Sequence, residues 1–155
     1  MAQYGAAGTV FLPEIVSGAP IGALLEIRTG PTDWALVTEI GLMNLSSANR
    51  AFSLGVGVPA TLGLSPLSWT YAPTPIDPNN SPSSVYVATA WRTPPVAPSS
   101  WLRRLTSWGG ASAASLALKS PRGRAIPPSS SLALFLIALS GGGAVAFDYW
   151  VEWDQ

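Results

Sequence analysis

Apolar residues in this chain recur mostly at every second position, in short runs cut apart by Gly, Pro, Asn, Asp and Ser. Phe52, Leu54, Val56 and Val58 alternate with Ser53, Gly55 and Gly57, while Val145, Phe147, Tyr149, Val151 and Trp153 alternate with Ala146, Asp148, Trp150, Glu152 and Asp154. A period of two sends successive side chains to opposite faces, so each run predicts a strand with one face on a core. Small residues opposite the apolar face of 52–58 leave room for another backbone to approach. Further strands are predicted at 23–29, 34–45, 85–91 and around Leu116 and Leu118. Within 34–45, Leu36, Thr38, Ile40 and Leu42 form one face and Val37, Glu39, Gly41 and Met43 the other. The run 131–139 is apolar on both faces, as in a strand buried at the centre of a sheet.

Turn chemistry separates these runs. Gly30-Pro31-Thr32-Asp33, Ser46-Ser47-Ala48-Asn49 and Ile126-Pro127-Pro128-Ser129-Ser130 supply turns, and the proline-rich stretches 72–84 and 93–100 read as loops. Trp101, Leu105 and Trp108 have helical spacing, but Gly109-Gly110 closes the run so soon that a short turn or strand is expected. Residues 1–20 read as an extended N-terminal arm joined at Gly18-Ala19-Pro20, whose apolar cluster Val10, Phe11 and Leu12 docks it on its own domain or on a neighbour, a neighbouring subunit being expected. Residues 21–155 then form one β-sandwich domain. The fold class expected is all-β: an antiparallel β-sandwich of jelly-roll type with an extended N-terminal arm.

Composition narrows the chemistry. Of 155 residues 48% are hydrophobic and 10% charged, against about 25% charged in an ordinary soluble domain. A surface so poor in charge predicts self-association, a homotrimer being expected. Histidine and cysteine are absent, which removes the usual neutral-pH base, the thiol nucleophile, soft metal ligands and any disulfide. Lys119 is the only lysine, and Ser115 lies four residues before it, so no Ser-x-x-Lys pair arises. No catalytic residue, cofactor or metal is therefore expected. Asp77-Pro78-Asn79-Asn80-Ser81 reads as a turn rather than a calcium loop.

Met1 to Gly5 carries no basic residue and does not read as a secretory signal. The apolar run 132–139 falls far short of the roughly 20 residues that span a bilayer, so no membrane partner is expected. Eight basic residues balance eight acidic ones, which argues against direct nucleic-acid binding. The charges are nevertheless segregated. Between Arg92 and Arg124 stand Arg92, Arg103, Arg104, Lys119, Arg122 and Arg124 with no acid, and beyond them only Asp148, Glu152 and Asp154. Either a basic surface of one copy meets an acidic edge of another, or the fold interleaves the two within one subunit. Trp69, Trp91, Trp101 and Trp108 fall at strand ends or loops and, with Arg103 and Arg104, are the candidate interface residues. A carbohydrate-binding module that stacks these rings on a surface glycan is the rival reading.

Three stretches resemble a family. Glu39-Ile40-Gly41-Leu42-Met43-Asn44, then Leu54-Gly55-Val56-Gly57-Val58-Pro59-Ala60-Thr61, and finally Asp148-Tyr149-Trp150-Val151-Glu152-Trp153-Asp154 are similar to strands of small virion proteins of tailed bacteriophages. The resemblance implies a structural subunit that decorates or cements the outside of a phage head, often trimeric, bound to the major capsid protein or another virion protein. Head-fibre, collar and tail-associated subunits share the pattern. The proline-rich loop at 72–82 departs from it.

Overall fold

The computed structural model describes residues 2–12, 22–45, 51–70, 74–75, 79, 83–108, 115–139 and 145–155. Among them are eleven strands and no helix: β1 (Gln3–Leu12), β2 (Gly22–Arg28), β3 (Ala35–Asn44), β4 (Ala51–Gly57), β5 (Leu64–Thr70), β6 (Thr74–Pro75), β7 (Tyr86–Thr93), β8 (Arg103–Trp108), β9 (Ser115–Ile126), β10 (Ser131–Leu139) and β11 (Val145–Asp154). They form two antiparallel sheets, ordered β6-β1-β11-β3-β9 and β5-β7-β2-β10-β4-β8. The pairings are nested, with β1 on β11, β2 on β10, β3 on β9 and β4 on β8. The chain is thus one long hairpin folded over itself, and β5, β6 and β7 are inserted at its apex.

One hydrophobic cluster draws members from both sheets: Tyr4 and Val10 from β1, Ile40 and Leu42 from β3, Phe147, Tyr149, Val151 and Trp153 from β11, facing Leu25, Ile27, Leu54, Val56, Leu132, Leu134 and Leu136 of the other sheet. The alternation in β11 carries over, its four aromatic and aliphatic residues being buried while Asp148, Trp150, Glu152 and Asp154 stay partly exposed. Strand β10, between β2 and β4, is covered on both faces, Leu132, Leu134 and Leu136 lying in the main core and Ala133 and Phe135 in a second cluster, which accounts for its two apolar faces.

Three expectations are corrected. Residues 3–12 are a strand of the domain itself and not an arm laid on a neighbouring subunit: β1 pairs along all ten of its residues with β11, and Ala2 and Gln155 close its end with two backbone hydrogen bonds of 2.8 and 2.9 Å. The physical reason is the period of two in Tyr4, Ala6 and Val10, whose side chains enter the core, Tyr4 stacking on Trp153 at 6.1 Å between ring centroids. In β3 the register shifts against both neighbours between Val37 and Glu39, so Val37 joins Ile40 and Leu42 in the core instead of standing on the Glu39 face. Val58 lies beyond the end of β4 and is 45% exposed, since no core remains opposite it. Strand β5, which has no clear period and contains Pro66, was not foreseen at all.

Candidate interaction surface

The outer face of the six-stranded sheet is roofed by the chain itself. Ala23, Ala133 and Phe135 form a second buried cluster, closed from outside by Trp91, Ala97 and Trp101. Trp101 meets Phe135 edge to face, with centroids 5.5 Å apart. The small residues of β4 permit this contact: a Cβ on Gly55 would fall 2.4 Å from Trp101, and one on Gly57 2.6 Å from Pro98. What approaches the small-residue face is therefore the proline-rich segment 93–102. Main-chain bonds hold that segment to its neighbours, from Ala60 N–H to the Val96 carbonyl (2.9 Å), from Val96 N–H to the Thr61 carbonyl (3.0 Å) and from Leu102 N–H to the Val56 carbonyl (2.9 Å).

Beneath the roof lies a buried carboxylate. Glu26, in the otherwise apolar β2, is 0% exposed and accepts hydrogen bonds from Ser131 Oγ (2.8 Å), Trp91 Nε1 (3.1 Å) and the Gly63 amide (3.4 Å). Arg28 Nη1 donates to the Gly63 carbonyl at 2.7 Å, and Arg28 Cζ lies 5.8 Å from the Tyr86 ring centre. These two residues of β2 clamp the 58–64 segment through both polar groups of one glycine. A buried carboxylate is tolerated only with such donors around it. Burial pushes the Tyr86 hydroxyl above its ordinary pKa, with Arg28 pulling the other way and Glu26 adding to the rise.

The clamped segments present an apolar exterior. Val58, Leu64, Leu67, Val96 and Leu102 are five of the seven large hydrophobic residues exposed among the described residues. Segments 58–67 and 93–102 contain no charged residue at all. A loop surface that is apolar, uncharged and held in place is suited to burial against another protein.

The predicted site residues divide accordingly. Trp91 and Trp101 come together, but inside the chain, one bonded to Glu26 and the other on Phe135. Val10 is 3% exposed in the protein's own core and has no surface left for a neighbour. The backbones of Phe11 and Leu12 continue β1, that of Trp69 lies in β5, and those of Arg103, Arg104 and Trp108 lie in the edge strand β8. The side chains of these six lie outside the described residues. Sequence reasoning missed Glu26, for which the signal was a single carboxylate within an apolar strand, and Trp34, which is 59% exposed. Among the described residues no three acidic side chains converge as a metal site. No protein-family model, curated protein or solved structure matches the chain.

Proposed function

We propose that this protein is a jelly-roll structural subunit of a bacteriophage virion that attaches to the outside of the head and stabilises it, acting as a homotrimer. With β5, β6 and β7 set aside, the strand orders are β1-β11-β3-β9 and β2-β10-β4-β8. That nested order supports a jelly roll, a two-sheet architecture that recurs in viral capsid domains. Fold alone names no function. The observation that carries the proposal is the clamped, uncharged surface at the hairpin apex, with Val58, Leu64, Leu67, Val96 and Leu102 exposed on it. A subunit that works by covering other proteins needs such a surface, and the resemblance of 39–44, 54–61 and 148–154 to phage virion strands supports the same class.

The test combines native mass with shell binding. Parent protein is expected to sediment as a trimer and to co-sediment with preformed capsid shells. Leu67→Asp and Val96→Asp, both on exposed positions, are expected to lose one or both properties with unchanged thermal melts. A monomer at micromolar concentration that ignores shells overturns the proposal.

A further inference from the structure

The two halves of the apical surface meet at Glu26. Its Oε2 accepts the indole N–H of Trp91, just ahead of the 93–102 segment, and its Oε1 accepts the amide of Gly63 within 58–67. Ser131 Oγ completes the set from β10 beside it, so the carboxylate is tied to the sheet as well as to both segments. The sheet around it is built of small residues. Along the row that crosses β7, β2, β10 and β4 stand Ala88, Glu26, Ala133 and Gly57, so the carboxylate is the only group in that row longer than a methyl. The two segments settle into the space so left. A Cβ on Gly57 would fall 2.6 Å from Pro98, and one on Gly63 would collide with the Trp91 indole and lie 2.9 Å from Glu26 Oε2. Each segment also buries one proline, Pro59 or Pro95, between exposed neighbours.

Removing such a carboxylate alone is costly because its donors are orphaned, yet the charged cluster as a whole adds little net stability. The desolvation of a buried charge offsets most of what its bonds return, and apolar residues of similar volume often serve stability as well. What directed hydrogen bonds supply, and apolar contacts do not, is one fixed position for each donor. Here the donors come from two segments distant in sequence, one exposing Val58, Leu64 and Leu67 and the other Val96 and Leu102. A surface made of two such parts binds best when both are already in place, because ordering them on contact subtracts from the affinity.

We propose that Glu26 is the positioning residue of the apical surface, holding 58–67 and 93–102 in the one arrangement from which they bind. Its consequence for binding rests on the function proposed above, while the positioning itself does not. Glu26→Gln separates placement from packing. With its oxygen on Trp91 and its NH2 donating to Ser131 Oγ, the glutamine keeps two bonds and gives up the Gly63 amide. Gly63→Ala lifts the segment with the carboxylate left in place. Each full-length variant is followed by methyl NMR, by thermal melts and by sedimentation, alone and with preformed capsid shells. Expected are shifted methyl resonances for Leu64 on one segment and Val96 on the other, with melts close to the parent's. Whichever association Leu67→Asp abolishes, between subunits or with shells, should weaken about tenfold, the scale of one side chain ordered on contact. Resonances that move in one segment only, or in neither, overturn the positioning role. Associations unchanged in both variants while Leu67→Asp abolishes them overturn the inference and leave the proposed function standing. If Leu67→Asp and Val96→Asp both associate like the parent, the proposed function falls, and the role of Glu26 in binding falls with it.

Discussion

Replacing Glu26 with alanine removes the acceptor on which three donors converge, those of Gly63 and Ser131 buried and that of Trp91 partly so. The Gly63 bond is long at 3.4 Å and contributes little. The Ser131 and Trp91 bonds, at 2.8 and 3.1 Å, are well formed, and a buried donor left without its partner costs about 1–3 kcal/mol. Together they put the loss at about 2–6 kcal/mol, a large fraction of the roughly 5–15 kcal/mol that stabilises a domain. For a chain of this size the melting midpoint should fall by roughly 2–4 °C per kcal/mol. Urea melts followed by circular dichroism provide the free energies, and cleavage within 58–64 by a dilute protease reports release of the clamp. Trp91→Phe made in the Glu26→Ala background should cost much less than Trp91→Phe alone, because the orphaned N–H is then gone. The reasoning fails if Glu26→Ala stays within about 1 kcal/mol of the parent, the size of an average substitution, or if the two changes add in full.

Phe147 is fully buried, and Phe147→Ala should cost about 3–5 kcal/mol in the same melts, while the partly exposed Asp154→Ala should stay within about 1 kcal/mol of the parent. Deleting residues 2–12 should unfold or insolubilise the protein, since β1 supplies Tyr4, Ala6 and Val10 to the core and covers β11; a truncated chain with the parent's melt would refute this. The Tyr86 pKa is raised in the folded state, so the folded protein holds that proton more tightly than the unfolded chain. Its contribution is complete below the ordinary tyrosine range and is lost as pH rises through the folded pKa; Tyr86→Phe should flatten that alkaline loss in melts taken across the range. Gly55→Val should force Trp101 off Phe135 at about 1–3 kcal/mol, seen as a red shift of tryptophan emission.

Much of the strand content was legible because a half-buried strand prints its two faces on the sequence. Runs 34–45 and 145–154 carried that imprint and contain β3 and β11, while 131–139, apolar on both faces, reads as a fully buried strand and is β10. Strand β5 was illegible, since its Pro66 and its two register shifts against β7 remove the alternation. The candidate surface was half legible. The proline-rich loop 93–100 was recognisable as a loop, but that it folds over Gly55 and Gly57 depends on residues more than forty positions away. Of the charged positions, Lys119 pairs in backbone register with Glu39 within one sheet, and Arg103 and Arg104 belong to the edge strand β8 of the other.

By itself the sequence determined the all-β class, because side-chain alternation and turn residues act locally, and it determined the low charge content and the lack of His and Cys, which are matters of composition. Tertiary structure alone decided that the N-terminal segment is a core strand, since an alternating segment can pair with any free edge and only the assembled sheet shows β11 offering one. It decided likewise that Glu26 is a buried anchor, because a carboxylate in a strand is tolerated or not according to donors brought from Gly63, Trp91 and Ser131, which lie up to 105 residues away. And it decided that Trp34, rather than Trp91 or Trp101, is the exposed ring among the described residues, since exposure is a property of what the rest of the chain leaves uncovered.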